Sequence, residues 1–196
     1  MYSQRDEEIY ILKFFRKVKG TFLDIGAYDG KTFSTTYPLV LKGWAGVCVE
    51  PSPSVFSVLQ KFYQDNPNIT TLQYAVTNKT GKVVFYDSGG DLISTISKAH
   101  VELWRKKAGV RFRKIEVDSL SVTDLFNLVG YDFDFINLDV EGTNLSVLSQ
   151  FPFGKLKKMK MLCVEFDHQA DEMIEMTKPY GYTLYHKTSE NLILVR

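Results

Sequence analysis

Apolar residues in this chain gather in short, near-continuous runs, and the runs recur at intervals filled by helical patterns. Phe22–Ile25, Ala45–Val49, Thr71–Val76, Phe133–Leu138 and Met161–Phe166 are such runs. Each has the length and continuity of a strand covered on both faces of a parallel sheet. Between them, Val55, Phe56, Val58, Leu59 and Phe62 fall at helical spacing behind Pro53, which suits a first helical turn. Segments 7–15, 143–151 and 170–179 read as further helices, and Pro38 predicts a short or kinked one. Tyr182–His186 and Asn191–Val195, joined by a polar turn, predict an antiparallel hairpin. Gly81–Asp87 reads as an extra strand, followed by a less regular stretch to about Lys114. This alternation predicts one α/β domain over 1–196, a doubly wound and mostly parallel sheet. Within it, 1–20 is expected to hold an N-terminal helix and 81–118 to form an inserted strand and basic lid-like segment.

Two of the runs end in chemistry. The first stops at Asp24 and opens into a turn with Gly26 and Gly30, residues that let a backbone approach a ligand closely. The second stops at Glu50, placed to accept hydrogen bonds from a ribose diol, as in dinucleotide sites. The turn lacks the G-x-G-x-x-G triplet of pyrophosphate binders, and Asp24 and Asp29 beside it disfavour a phosphate. An ammonium group tolerates those acids, so S-adenosylmethionine fits better than NAD. The alternative is that Asp24 only caps the turn and Glu50 is a solvated strand end.

A third run, Phe133 to Leu138, ends in Asp139 and Glu141 before Gly142. Ligands of open α/β sheets sit beyond the carboxyl ends of the strands, so this pair faces the same crevice. The two acids could meet a substrate hydroxyl or a divalent cation of the magnesium or calcium kind; otherwise Asp139 caps the helix near Thr143. For the base that a hydroxyl acceptor needs, the candidates are Asp139, Glu141, Glu165 and His168. His168, just beyond the run ending at Glu165, is preferred because imidazole suits a base at neutral pH, with Asp139 as its orienter or the substrate's anchor. His100 and His186 lie outside the motifs and read as surface residues.

FLDIGAYDG, VCVEPSP, QYAVTN and FDFINLDVEG, followed by LCVEFDH, together resemble the FkbM-type S-adenosylmethionine-dependent methyltransferases, in order from Thr21 to the C-terminus. The resemblance implies a class I methyltransferase fold, a Rossmann-like seven-stranded sheet with one antiparallel strand. It also implies methyl transfer to a hydroxyl of a small-molecule, sugar or glycan acceptor. Carried onto this sequence, Asp24, Gly26 and Gly30 line the methionine end, with Ala27 and Tyr28 between them. Glu50 and the adjoining Pro51 hold the ribose, Ala75 and Val76 lie near adenine, and Asp139 and Glu141 stand at the reaction crevice. Asn137 and Asn144 depart from the family pattern, where lysine and glutamate are frequent, so any role needing those charges is in doubt.

Composition adds less. The chain has 196 residues, 44% of them apolar, and a formal net charge of +1, which argues neither for nucleic acid nor for an anionic membrane. No secretory signal and no membrane-length apolar run is read, so the expected location is cytoplasmic. Its two cysteines, Cys48 and Cys163, read as buried thiols. A basic stretch, 104–114, offers Arg105 and Arg111 with Glu165 as substrate contacts, in a lid over an acidic sugar. The same stretch motivates a second reading, methylation of nucleic acid, and a third is a methyltransferase-fold module that binds a partner without catalysis. The oligomeric state is not legible.

Overall fold

In chain order the elements are α1 (Glu7–Phe15), β1 (Thr21–Ile25), α2 (Tyr37–Val40), β2 (Ala45–Val49), α3 (Pro53–Tyr63), β3 (Ile69–Leu72), β4 (Ala75–Thr77) and β5 (Gly81–Asp87). They continue with α4 (Lys98–Ala108), β6 (Arg113–Ser121), α5 (Val122–Val129), β7 (Phe135–Leu138), α6 (Asn144–Leu148), β8 (Met161–Glu165) and α7 (Ala170–Thr177), and end with β9 (Thr183–Lys187) and β10 (Asn191–Val195). This computed structural model describes every residue but Lys17 and Asp91.

The main sheet has seven strands in the order β3-β2-β1-β7-β8-β10-β9. β3, β2, β1, β7 and β8 run parallel, and β10 is antiparallel to both neighbours. Alternate residues of the same strands feed different cores, which is why the runs are continuous rather than alternating. Phe22, Phe135, Met161 and Cys163 pack with Ile11, Phe15 and Leu59 from α1 and α3 on one face. Leu23, Ile136, Leu162 and Val164 pack with Leu125, Val147 and Met173 from α5, α6 and α7 on the other. Cys48 and Cys163 are buried and free, and β1 and β7 stand between their strands. Pro38 does sit in a short helix, the four residues of α2.

The pattern misleads in two places. The single run expected over Thr71–Val76 is two strands: β3 ends at Leu72, and β4 begins at Ala75 in a second sheet, ordered β4-β6-β5. The irregular stretch is also more ordered than expected, holding α4, and β6 begins at its end. β6 alternates Ile115, Val117 and Ser119 with Lys114, Glu116 and Asp118 because a single face is packed, Ile115 and Val117 joining Ala75 and Phe85. α4 buries Val101 alone, so apolar periodicity is faint there. Its ends are nonetheless marked by Ser97, whose side chain accepts from the His100 amide, and by left-handed Gly109. No helix among the described residues is long and apolar enough to cross a membrane.

Candidate functional site

The carboxyl ends of β1, β2, β7 and β8 open onto one crevice, roofed by the segment between β5 and α4. Tyr28 Oη donates to the Gly90 carbonyl at 2.6 Å, and Thr95 Oγ1 donates to the Glu141 carbonyl at 2.5 Å, tying the roof to the floor. Backbone strain collects there. Six non-glycine residues among those described have positive φ, and Tyr28, Phe33, Glu141, Asp167 and His168 of these line the crevice. Such conformations persist where surrounding structure holds them, and they concentrate at functional sites.

One end is a narrow slot. Pro51, Tyr74, Ala75, Val76, Phe85 and Ile96 line it with Glu50 and Ser52. Glu50 is 7% exposed, not a solvated strand end. It accepts from the Tyr28 amide at 3.1 Å and the Ser52 amide at 2.8 Å. Burial pushes its carboxyl up to about 7 despite those bonds, with the charges of Asp24 and Asp87 adding to the effect.

Next to the slot lies a larger chamber with an acidic floor. Asp24 is buried, its Oδ2 accepting from Thr36 Oγ1 at 2.6 Å and its Oδ1 from Asn137 Nδ2 at 2.9 Å. Burial raises its pKa against both bonds. Asp139, Glu141 and Glu165 each bring a carboxylate oxygen within 4.8 Å of the others. Burial, then the Glu141 charge, lifts Asp139 to about 8, and burial with the Asp139 and Glu141 charges lifts Glu165 to about 11. Burial also raises Glu141, opposed by His100, whose Nε2 lies 3.1 Å from Glu141 Oε2. That approach is too bent for an aligned hydrogen bond, so we read it as an ion-pair contact. Asn144 braces the group: its Nδ2 donates to Glu165 and to Asp167, both at 2.8 Å, while its Oδ1 accepts from the Val140 amide.

The two departures from the family pattern thus work together. Asn137 holds Asp24 by a neutral hydrogen bond where a lysine would neutralise it, and Asn144 adds donors where a glutamate would add another charge. With Glu7, Asp24, Glu50 and Glu190 included, eight carboxylates among the described residues line slot and chamber, against a single lysine, Lys107, and no arginine. The buried side-chain polar atoms without hydrogen-bond partners among the described residues tell the same story. Thr35 Oγ1, His100 Nε2, Trp104 Nε1, Asp139 Oδ1, Thr143 Oγ1 and Glu190 Oε2 all belong to residues lining this crevice.

Ala27, Tyr28, Glu50, Pro51, Ala75, Val76, Asp139, Glu141 and Glu165 all reach the crevice. Other expectations need correction. Gly30 does not line it; a Cβ there would meet Tyr63 at 2.6 Å and Leu59 at 2.8 Å, so this glycine serves packing against α3. Gly26 lines the crevice, but a Cβ on it would fall 1.7 Å from the Asp139 carbonyl, so the close approach is to the protein's own backbone. Asp29 is used by its turn, accepting from the Lys31 and Thr32 amides. Asp139 does not cap α6, whose first amides receive no side-chain cap. His168 stands exposed at the chamber's edge, and among the described residues no hydrogen bond joins it to Asp139.

The imidazole that meets an acid is His100, which had read as a surface residue; its side chain is 10% exposed. His186 is likewise half-buried, stacked on Tyr10 and paired with Asp6. Arg105 and Arg111 are exposed and absent from the lining, where Ser97, His100, Leu103, Trp104 and Lys107 form one face of α4. Their three- and four-residue spacing, between the Ser97 and Gly109 caps, was the available sequence signal for that face.

Residues 24–184 match the family described as Methyltransferase FkbM domain. The chain belongs to that methyltransferase family. No curated protein matches its sequence. A Methyltransferase FkbM from Methylobacillus flagellatus KT is similar in structure, with a TM-score of 0.60 at 16% identity, over 100% of this chain and 48% of that one. This chain therefore spans about half the length of that relative. A ribosomal protein L11 methylase from Lactobacillus delbrueckii subsp. bulgaricus scores 0.54 at 10% identity, over 97% of this chain and 77% of that one. The magnesium protoporphyrin IX methyltransferase of Synechocystis PCC 6803, solved with bound S-adenosylmethionine, scores 0.50 at 13% identity, over 96% and 76%. The FkbM chain described here has the class I methyltransferase fold, the seven-stranded sheet with its single antiparallel strand.

Proposed function

We propose that this FkbM-family chain transfers a methyl group from S-adenosylmethionine to a hydroxyl oxygen of a small-molecule, sugar or glycan acceptor. The observation that carries the reading is the imbalance, among the described residues, of eight carboxylates against one lysine in the crevice of a chain whose net charge is +1. Burying that much acid is costly unless a cationic ligand meets it. S-adenosylmethionine, with an ammonium and a sulfonium, is such a ligand, whereas a pyrophosphate or a nucleic-acid backbone is not.

The lining residues fit this group. Glu50, fixed by two amides, keeps lone pairs for a ribose diol, and the Pro51, Tyr74, Ala75, Val76 slot suits a flat base. Asp24, beside the Gly26–Tyr28 backbone in the chamber lining, suits an ammonium. Bound there, S-adenosylmethionine supplies an electrophilic methyl group, and the chain's own work is to align the acceptor oxygen with it and receive the hydroxyl proton. The chamber next to the slot is suited to the acceptor: Leu103, Trp104 and Phe33 offer apolar surface, and Glu141, Glu165 and Asp167 accept hydrogen bonds from hydroxyls. His100 and the acid group replace His168 as the proton-handling candidates, because they are buried where the acceptor would lie.

Calorimetric titration with S-adenosylmethionine, S-adenosylhomocysteine and NAD tests the cofactor. Micromolar binding of the first two and none of the third is expected. NAD binding, or no binding of any, would overturn the reading and favour a non-catalytic module. A screen of sugars and glycosides for methyl uptake then tests the acceptor class.

A further inference from the structure

The group Asp139, Glu141 and Glu165 is assembled from the ends of two neighbouring parallel strands, β7 and β8, and is supported from outside. Asn144 holds Glu165, and His100 holds Glu141. What these supports lack is a positive charge of the right kind: among the described residues no lysine or arginine pairs with any of the three.

Two further observations point to a missing cation. The His100 imidazole is nine-tenths buried and aimed at the acid group, yet its Nε2 makes no aligned hydrogen bond. Asp139 Oδ1 is buried and unpartnered in the same place.

We propose that Asp139, Glu141 and Glu165 hold one divalent cation of the magnesium or manganese class, with Asn144 and His100 as the residues that position its ligands. Three carboxylates are hard oxygen donors, which favour these ions over zinc or copper. Ligand oxygens within 4.8 Å of one another suit a metal–oxygen distance of about 2.1 Å after a small inward adjustment. Outer-shell partners of the kind His100 and Asn144 provide orient such ligands. The cation's open positions face the chamber, where it lowers the pKa of a bound hydroxyl; that use rests on the function proposed above, while the binding itself does not.

The test is titration of the full chain with manganous ion, followed by calorimetry and by loss of the free-ion paramagnetic resonance signal, with and without S-adenosylhomocysteine. One ion per chain is expected in both states. Glu165→Gln and Glu141→Gln should each weaken it by at least about tenfold, and His100→Ala by roughly 10-fold, within the range for outer-shell partners. Glu172→Gln, on the exposed face of α7, should leave it unchanged. The glutamine variants remove charge from a crowded group, so a circular-dichroism melt at or above the parent's separates a lost ion from a lost fold. Absence of binding at millimolar ion, binding unaffected by both glutamines, or displacement of the ion by S-adenosylhomocysteine would each overturn the proposal. Binding of S-adenosylhomocysteine without any ion would sink this site and leave the methyl-donor reading intact; ion binding without S-adenosylhomocysteine would do the reverse.

Discussion

Strand β7 carries an aspartate just outside each end, and the two could hardly be treated more differently. Asp134, before the strand, sits 3.0 Å from Lys158 Nζ and 3.6 Å from Lys160 Nζ, and it accepts from the Thr21 amide at 3.0 Å. Although burial works against it, those partners leave its pKa below the ordinary carboxylate value. Asp139, after the strand, has acids for neighbours and is lifted to about 8. The lower rim of the sheet neutralises its buried charge with the protein's own lysines, and on the function proposed above the upper rim leaves that task to a ligand. Ligands of open α/β sheets bind beyond the carboxyl ends of the strands, so the proposed function puts binding at the second rim and leaves the first to stability.

Breaking the lower rim should produce the largest change. Asp134→Ala leaves the Thr21 amide and two half-exposed lysines without their partner, and should cost about 3 kcal/mol of stability in urea unfolding, the upper end for a buried polar group left unsatisfied. S-adenosylhomocysteine affinity of the folded fraction should stay at the parent value. A loss below about 0.5 kcal/mol would mean that the lysines, half-exposed as they are, contribute little. On the upper rim, Glu50→Ala should weaken S-adenosylhomocysteine binding by roughly 1.5–3 kcal/mol, the scale for a hydrogen bond to a charged group. Unchanged affinity would remove Glu50 from the ribose site.

Asp139→Asn should sharpen the contrast by moving two quantities in opposite directions. Without its charge the acid group is less crowded, so the unliganded chain should gain on the order of 1–3 kcal/mol at pH 8, while S-adenosylmethionine binding falls. The parent's pH dependence follows from the same shifts. Glu50 and Asp139 have folded values of about 7 and about 8, above their ordinary values of 4.5 and 3.8. A carboxyl raised on folding holds its proton more tightly in the native state, so the stability is fully present at acid pH and drains as pH climbs to about 8. Thermal melts of the unliganded chain should therefore fall between about pH 5 and 8, and saturating S-adenosylmethionine should recover most of the loss. A flat profile would mean that the acids share protons or solvent more freely than their burial implies.

How much of this the sequence disclosed depends on what each residue's neighbours are in the chain. β1, β2 and β8 were legible because strands covered on both faces are apolar at nearly every position. Glu50 and Asp139 were legible as acids closing such strands. Gly30 was legible as a turn residue but not in purpose, since Tyr63 and Leu59 reach it from a helix about thirty residues away. His100 was missed for the converse reason. It belongs to a polar helix in an insertion, and only the packing of that helix against Glu141 gives it a partner. Arg105 and Arg111 were chosen for charge, and charge alone does not say which way a helix faces.

That last point yields the smallest expected effect. On α4 the crevice-facing positions run through Ser97, His100, Trp104 and Lys107, with Lys107 Nζ 4.7 Å above the Trp104 ring. Arg105 follows Trp104 by one residue, a rotation of about 100° around the helix, which carries it off that face. Arg111 lies beyond the Gly109 cap. The double variant Arg105→Ser, Arg111→Ser should change stability and S-adenosylhomocysteine affinity by no more than about 0.5 kcal/mol each, because exposed side chains without partners leave nothing behind when removed. Lys107→Ser, about two turns from His100 and on the chamber's lining, should disturb acceptor turnover while leaving S-adenosylhomocysteine binding alone. If the arginine pair instead proved necessary for a salt-sensitive affinity toward RNA or DNA, the outer face of α4 would be a second binding surface. The acidic chamber behind it would then need an acceptor delivered from a polyanion.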